Sequence, residues 1–245
     1  MIRVTFRFYR ELNDFLPRDR RQCEFAREYP LPGSVKDAIE NLGVPHTEVD
    51  LILANSESVN FDYRLCDGDR IGVYPMFEAL DISPLQRLRP RPLRRPRFVL
   101  DCHLGRLARY LRMLGFDTLF RADYDDDTLL QISVDERRIL LSRDRGLLKR
   151  RRLQRGYFVR ATQPRRQIAE VVERLQLQPA MRPFSRCIAC NGTLRPVPRV
   201  QVVEQLPDNT RRYFNTFFQC ESCRRIYWKG SHYQRMQALV RALRA

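Results

Sequence analysis

The sequence predicts an α/β protein with a core of parallel strands, preceded by a small α+β segment and followed by a four-cysteine segment. Residues 98–180 alternate short apolar runs with amphipathic helical patterns, as strands joined by crossover helices do. Residues 1–80 read as two strands, a helix and further strands. Two Cys-x-x-Cys pairs lie between residues 187 and 223, which is typical of metal binding.

The N-terminal segment, residues 1–80, alternates apolar and polar residues from Ile2 to Phe8, as a half-buried strand does. Ser34, with Asp37 three residues later, is close to a capping box for a helix that Gly43 ends. The predicted strands are residues 2–8, 23–29, 49–53 and 70–74. The order of two strands, a helix and two strands is that of the ubiquitin-like β-grasp fold.

Three motifs of this segment carry a family resemblance: Met-Ile-Arg-Val at residues 1–4, Gly-Ser-Val at 33–35 and Asp-Gly-Asp-Arg-Ile-Gly-Val-Tyr-Pro at 67–75. In these motifs the segment resembles the sulfur-carrier proteins of thiamine and molybdopterin synthesis. Those carriers end in a diglycine tail that is activated and thiolated, whereas here the chain runs on past residue 75. Sulfur carriage is therefore excluded, and we predict a docking or regulatory role with a protein partner.

Residues 81–96 are predicted to be a linker. Four prolines and six arginines in residues 82–97 disfavour a regular helix or strand.

The central segment, residues 97–180, has the order of a doubly covered parallel sheet. Its predicted strands are residues 98–100, 116–121, 138–142 and 157–160, and its predicted helices are residues 104–114, 128–137, 146–152 and 165–177. Right-handed crossovers make such strands parallel and place helices on both faces of the sheet. Ligands of such sheets bind at the carboxyl ends of the strands.

Carboxylates collect at those strand ends. They are Asp101, Asp123, Asp125, Asp126, Asp127 and Asp144. Clustered carboxylates repel one another unless a cation neutralises them, and Mg²⁺ or Mn²⁺ accepts such oxygen ligands. A metal held there can activate water and stabilise the leaving oxygen of a phosphodiester. The alternative, that residues 125–127 only cap a helix, stays open and is expected for at least one of them.

A second resemblance rests on three motifs. They are Asp101 with Gly-Arg-Leu-Ala-Arg-Tyr-Leu-Arg-Met-Leu-Gly-Phe-Asp-Thr at 105–118, Arg-Ile-Leu-Leu-Ser-Arg-Asp-Arg-Gly-Leu-Leu at 138–148, and the two cysteine pairs. The chain resembles the PIN-like RNase family named for the C-terminus of the mutator-seven exoribonuclease, whose bacterial members carry a β-grasp segment in front. The resemblance implies a PIN-like, Mg²⁺- or Mn²⁺-dependent ribonuclease core followed by a zinc ribbon.

The resemblance also suggests site residues. Asp101 and Asp144 match the family's acids at the first and third strand ends, and Asp126 or Asp123 is the third acid of our choice.

Two arginines are expected to contact RNA phosphate. Arg106 lies near the start of the first helix of the core, and Arg143 precedes Asp144. For Arg109 and Arg112, a solvated polar face is an equally good interpretation.

Residues 181–235 predict the ribbon, and residues 236–245 predict a basic tail. Cys187, Cys190, Cys220 and Cys223 can supply four thiolates to one tetrahedral Zn²⁺. The 29 residues between the pairs suggest a long hairpin, with residues 195–205 leading out, 207–209 turning and 210–219 returning. The aromatic and cationic residues at 227–233 either stack on RNA bases or pack on the ribbon.

The net charge is +16, but residues 1–80 carry 10 basic and 14 acidic side chains, so the positive field belongs to the later two thirds. Such a field favours RNA as the partner. No apolar run is long enough for a transmembrane helix, and the first residues do not form a signal peptide, which predicts a cytoplasmic protein without membrane contact. We therefore expect an endonucleolytic ribonuclease. The alternative is a non-catalytic RNA-binding or protein-interaction adaptor with a vestigial core.

Overall fold

The computed structural model describes residues 1–75, 88 and 96–244. The predicted linker lies outside the described residues, apart from residues 88 and 96. The strands, in chain order, are β1 Ile2–Phe8, β2 Phe25–Tyr29, β3 Leu51–Ala54, β4 Glu57–Val59, β5 Arg70–Tyr74, β6 Phe98–Leu100, β7 Thr118–Leu119, β8 Ile139–Ser142, β9 Gly156–Phe158, β10 Leu194–Val197, β11 Phe217–Cys220 and β12 Ile226–Trp228. The α-helices are α1 Val35–Asn41, α2 Gly105–Met113, α3 Asp126–Asp135, α4 Arg145–Leu148, α5 Pro164–Arg174, α6 Asp208–Tyr213 and α7 Ser231–Ala242.

The described residues form two compact units. Unit 1 contains residues 1–75 and Asp125–Phe158, and unit 2 contains residues 96–124 and 159–244. The second half of the central segment thus groups with the N-terminal segment. No helix among the described residues is long and apolar enough to cross a membrane.

In unit 1, residues 1–75 form the expected β-grasp, which we call the β-grasp segment. Its five-stranded sheet has the order β2-β1-β5-β3-β4, with β1 parallel to β5 and the other neighbours antiparallel. The short edge strand β4 is an addition to the predicted order. Ser34 caps α1 by accepting a hydrogen bond from Asp37 N (3.1 Å), and Gly43 follows the helix with φ of 101°. The apolar face of α1 packs on the sheet around Val4, Phe6 and Phe8.

The Asp67-Gly68-Asp69 motif builds the turn before β5. Asp69 is buried, and its carboxylate accepts hydrogen bonds from Cys66 N (2.7 Å), Asn55 Nδ2 (2.8 Å) and the Tyr63 hydroxyl (3.1 Å). Gly68 has φ of 81°, a conformation that other residues rarely adopt. The motif is therefore explained by structure.

The central segment supplies parallel strands and helices, as predicted. β6 pairs with β7 in unit 2, and β8 pairs with β9 in unit 1, each pair parallel. The residues of β6 are all buried, in keeping with its continuous apolar run. α4 is shorter than the predicted helix at 146–152 because the chain turns after Leu148 to bury Leu153.

The ribbon in unit 2 is an antiparallel sheet of order β10-β11-β12. The predicted antiparallel pairing of an outgoing and a returning strand between the cysteine pairs is confirmed by β10 and β11. The predicted long strands at 195–205 and 210–219 and the turn at 207–209 are wrong. β10 ends at Val197, and the chain to Tyr213 forms two 3-10 turns and α6. The physical reason is burial, because Val202 and Leu206 from this helical stretch join Phe217 in a core that three short strands could not fill.

Candidate functional site

Asp101 follows β6 directly and is 8% exposed. Its carbonyl accepts a hydrogen bond from Leu104 N (3.0 Å), which starts a 3-10 turn leading into α2. A hydrogen bond with the Asp101 carboxylate raises the pKa of the neighbouring Cys102 thiol. The structure thus holds one carboxylate at the buried end of a strand.

Asp144 lies just after β8 and is exposed. Its backbone N donates to Ser142 Oγ (2.9 Å), so the residue at the strand end uses its hydroxyl to hold the acid. The Asp144 side chain caps α4, with Oδ1 accepting from Gly146 N (2.6 Å) and Leu147 N (3.3 Å). Both bonds use Oδ1.

The acids of the middle loop have different surroundings. Asp123 is exposed and forms a two-pronged ion pair with Arg121 (2.9 and 2.7 Å), and this hydrogen bonding lowers its pKa. Asp125 caps α3 by accepting from Thr128 N (2.8 Å), which lowers its pKa as well. The helix-capping interpretation is therefore confirmed for Asp125.

Asp126 is the first residue of α3, where it is exposed, and Asp127 pairs with Arg150 (2.9 Å). An exposed pair of this kind contributes little to stability.

The predicted arginines differ in exposure. Arg106 in the first turn of α2 and Arg143 beside Asp144 are both exposed. Arg112, by contrast, is 5% exposed, so the solvated-face interpretation is wrong for this residue.

The candidate acids occur in both units. Asp101, Arg106 and Asp123 belong to unit 2, and Asp126, Arg143 and Asp144 belong to unit 1. The common site that the sequence predicts for Asp101 and Asp144 therefore stays a prediction.

The four cysteines of the ribbon come together. Their sulfur atoms all lie within 4.8 Å of one another, and none is in a disulfide. The Cys187–Cys223 and Cys190–Cys220 sulfur pairs are 3.6 and 3.4 Å apart. Four sulfurs about 2.3 Å from a tetrahedral zinc lie about 3.8 Å apart, so the donor set fits one such ion. Among the described residues, this is the one group of three or more His, Cys, Asp or Glu whose ligand atoms lie this close together.

Each pair forms the same backbone knuckle. In the first, Cys187 N donates to Gly192 O (2.7 Å) and Asn191 N donates to Cys187 O (2.9 Å). In the second, Cys220 N donates to Arg225 O and Arg224 N donates to Cys220 O, both at 3.0 Å. Asn191 and Arg224 both have positive φ, 73° and 59°, which turns the backbone back under the sulfurs. The two knuckles together present four cysteine sulfurs, which is a donor set of closed structural zinc sites.

Tyr227 contacts one of the four cysteines, Cys187. Its hydroxyl lies 3.0 Å from Cys187 Sγ. Burial, followed by the hydrogen bond with Cys187, raises the pKa of Tyr227, so the hydroxyl keeps its proton and donates to the sulfur. Burial alone would raise the pKa of Cys187, but hydrogen bonds from Tyr227 and nearby backbone groups lower it to about 6. A thiolate is the form that binds metal.

Replacing Tyr227 by phenylalanine is therefore expected to weaken zinc binding by about 10- to 100-fold, because a partner of a metal ligand is lost. Competition for zinc with a chromogenic chelator measures the change. The matched control is Tyr213→Phe, which alters an exposed ring of the same ribbon. Equal zinc affinity of the Tyr227 variant and wild type would contradict the supporting role.

Sequence reasoning missed how the first knuckle is anchored on the core of unit 2. Arg112 of α2 donates from Nε to Thr118 O (2.9 Å) and from Nη1 to Ala189 O (2.8 Å) inside the knuckle. Asn191 accepts from Thr118 N (2.9 Å) and donates to Asp117 Oδ1 (2.8 Å). The position of Arg112, four residues after the buried Ala108, was the available signal.

The end of α2 also pairs with the chain that enters the knuckle. Arg182 N donates to Leu114 O (2.9 Å), and Phe184 N donates to Met113 O (2.8 Å). At Gly115, with φ of 92°, a Cβ would lie 2.1 Å from Arg182 O, so that only glycine fits.

Replacing Arg112 by methionine is expected to lower the free energy of unfolding by about 2–4 kcal/mol, because buried carbonyls lose a charged donor. Urea unfolding measures this change. The control is Arg109→Met on the exposed face of the same helix, expected to change stability by less than about 0.5 kcal/mol. Equal stability of the two variants would remove the anchoring role.

The aromatic residues after the second pair are used for packing. Trp228 packs against the ribbon core, and the ring of Tyr233 lies 4.6 Å from that of Phe184. Of the two interpretations that the sequence left open, the packing one describes these two rings.

Comparisons with known proteins cover nearly the whole chain. The family described as Mut7-C RNAse domain matches residues 96–240, and the family described as Mut7-C ubiquitin matches residues 1–81. No curated protein matches. Among solved structures, the putative molybdopterin converting factor, subunit 1, from Pyrococcus furiosus is similar at 22% identity and a TM-score of 0.25, over 31% of this chain and 98% of that chain. Because the first match spans more than half of the sequence, the chain belongs to the Mut7-C RNase domain family, with a Mut7-C ubiquitin-like segment in front.

Proposed function

We propose that the protein is a metal-dependent ribonuclease that cuts RNA internally. The observation that carries the proposal is the presence, in a chain of an RNase family, of acids at the carboxyl ends of two largely buried strands. Asp101 and Asp144 are the acids in question.

The donor set suits a hard cation, because Mg²⁺ and Mn²⁺ prefer carboxylate oxygens. Asp101 and Asp144 would hold the ion. Asp126 or Asp123 is proposed as the third acid. When bound, such an ion lowers the pKa of water and neutralises charge on the phosphodiester.

The side chains then have distinct tasks. The Asp144 carboxylate is fixed by its two bonds to α4, so it meets its ligand without reorganising. Asp101 is held in a buried environment in which electrostatic interactions are strong. Arg106 and Arg143 bind phosphate oxygens and orient the strand to be cut.

The ribbon is proposed to hold Zn²⁺ and to add RNA affinity. Residues 181–245 carry 12 basic and three acidic side chains. Tyr213 is 68% exposed with the Arg212 guanidinium 5.7 Å from its ring centroid, an arrangement that can stack on a base. Metal-bound cysteines of this spacing suit a reducing compartment such as the cytoplasm.

A circular single-stranded RNA tests the proposal, because it has no end at which an exonuclease could begin. The zinc-loaded protein with Mn²⁺ is expected to convert the circle to linear fragments, and excess EDTA is expected to stop the reaction. Cleavage of linear but not circular RNA would contradict internal cutting.

The same circular RNA distinguishes a ribonuclease from a non-catalytic RNA-binding adaptor. Binding of the circle in a gel-shift experiment without any product, across RNAs of varied sequence, would overturn the proposal and favour an RNA-binding adaptor. Activity that is unchanged by removal of Mg²⁺ and Mn²⁺ would overturn the metal dependence.

A further inference from the structure

We propose that the β-grasp segment positions the nuclease site in cis, through a turn that holds α4 and β9 and thereby the acid Asp144. The inference rests on the proposed function for the role of Asp144. It assigns a task to residues 1–75 that does not require a second protein.

The turn is the 3-10 helix His46–Glu48, which we call the His46–Glu48 turn. All of its residues are polar, yet they are buried: His46 is 6%, Thr47 1% and Glu48 7% exposed. Burial of polar side chains is costly unless they are hydrogen-bonded. The partners that compensate them identify what the turn is built against.

Those partners are backbone atoms of residues 148–158. The three hydrogen bonds join His46 Nε2 and Leu153 O (2.7 Å), Thr47 Oγ1 and Leu148 O (3.3 Å), and Phe158 N and Glu48 Oε1 (2.5 Å). Leu148 is the last residue of α4, and Phe158 is the last residue of β9. The turn therefore supplies hydrogen-bond partners to backbone groups at the ends of these two elements.

Two further contacts extend the junction on either side of the turn. Lys149 Nζ donates to Glu40 O (2.6 Å), and the Glu40 carboxylate lies 2.6 Å from His46 Nδ1. Gly156 at the start of β9 leaves room for side chains of the junction, because a Cβ there would lie 2.7 Å from a Leu148 methyl and 3.3 Å from Thr47 Oγ1. The junction is thus closely fitted on both sides.

Aromatic rings also contact Arg145, the residue that follows Asp144. The Arg145 guanidinium carbon lies 5.0 Å from the ring centroid of Phe15 and 5.4 Å from that of Phe158. The two rings meet edge to face, with centroids 5.4 Å apart. Arg145 follows Asp144 directly, so the β-grasp segment contributes to the surroundings of the backbone that carries this acid.

The length of α4 makes these contacts necessary. A helix of four residues is far too short to be stable by itself. At its N-terminal end the Asp144 carboxylate accepts a hydrogen bond from Gly146 N, and at its C-terminal end Thr47 donates to the Leu148 carbonyl. Loss of the contact at the C-terminal end is therefore expected to loosen the N-terminal cap as well. The carboxylate that would hold the metal then loses its fixed orientation.

The test uses the full chain and two pairs of variants. Thr47→Val removes the hydroxyl with little change of shape, and Thr47→Ser restores it. Glu48→Ala removes the acceptor of Phe158 N, and Glu48→Gln keeps an acceptor oxygen. Glu28→Ala, at an exposed position of β2, is the matched control.

Hydrogen exchange is the first readout. We expect faster exchange of the amides of residues 145–158 in Thr47→Val and Glu48→Ala, with wild-type exchange in Thr47→Ser, Glu48→Gln and Glu28→Ala. Wild-type exchange of this segment in both disruptive variants would overturn the positioning role. This readout does not depend on nuclease activity, so it decides the inference even if the proposed function fails.

RNA cleavage is the second readout. The disruptive variants are expected to lose about 10- to 100-fold in kcat with little change of KM for RNA, and the conservative variants to recover it. A loss confined to KM, or one that Thr47→Ser and Glu48→Gln do not rescue, would contradict positioning. Absence of cleavage by wild type itself would reject the proposed function alone.

Discussion

Replacing Asp144 by asparagine is expected to lower the rate of RNA cleavage by at least about 100-fold at saturating Mn²⁺. The substitution removes the negative charge that would hold the cation. It leaves the cap in place, because an asparagine oxygen accepts hydrogen bonds from Gly146 N and Leu147 N as an aspartate oxygen does. Loss of activity with an unchanged unfolding temperature therefore separates the chemical role of Asp144 from its structural one.

The matched control is Asp127→Asn, which removes one exposed acid of α3 and its ion pair with Arg150. It should cleave RNA as wild type does. If Asp144→Asn also keeps wild-type activity, the acid only caps α4 and the proposed site is wrong. Equal loss in both variants would point to a general effect of charge on RNA or metal binding.

Replacing Cys220 by serine is expected to abolish zinc binding and to destabilise unit 2 strongly. Cys220 is fully buried among the four sulfurs, and structural zinc in small ribbons is worth about 10–16 kcal/mol of apparent binding free energy. The loss should extend beyond the ribbon, because Arg112 and Asn191 join the first knuckle to α2 and β7. Metal analysis and hydrogen exchange of residues 105–119 measure these two effects.

Cys66→Ser is the control, since Cys66 is an exposed cysteine of the β-grasp segment outside the four-cysteine site. It should retain one zinc per chain and wild-type exchange. A Cys220→Ser protein that lacks zinc but exchanges residues 105–119 at the wild-type rate would show that the ribbon folds independently of α2. A wild-type protein without zinc would remove the ribbon site altogether.

Local signals in the sequence were sufficient for most of the fold. Ser34 and Gly43 bound α1 as expected, since capping and the left-handed region depend on neighbouring residues alone. The apolar run Phe98–Leu100 correctly predicted a buried strand, because burial on both faces removes alternation. The spacing within each Cys-x-x-Cys pair correctly predicts a metal-binding knuckle, because the knuckle is a local structure. The four sulfurs of the two knuckles converge as expected.

The residues that sequence reasoning missed act over long separations. Arg112 is a charged residue of a type expected on a solvated helix face. Its burial depends on the carbonyl of Ala189, which lies 77 residues later in the chain. The polar turn at His46 gave no sign of burial, because its partners lie more than 100 residues later. The sequence predicts a strand over residues 195–205, where the structure has a helical stretch, because the need of the ribbon for Val202 and Leu206 is a tertiary one.

Part of the candidate site was predictable as well. The sequence placed Asp101 and Asp144 at strand ends, and the structure has them there. It could not distinguish the acids of residues 123–127, because a capping aspartate and a metal-binding aspartate have the same local pattern. The structure shows that Asp125 caps α3 and that Asp123 pairs with Arg121, and the identity of the third acid stays a prediction.

A crystal of the zinc-loaded protein soaked in Mn²⁺, with anomalous scattering recorded above and below the manganese edge, tests the central proposal most directly. We predict a manganese peak coordinated by carboxylate oxygens of both Asp101 and Asp144, separate from the zinc at the four cysteines. A fully soaked crystal with no manganese at these two acids, or with the two carboxylates too far apart to share an ion, would contradict the account.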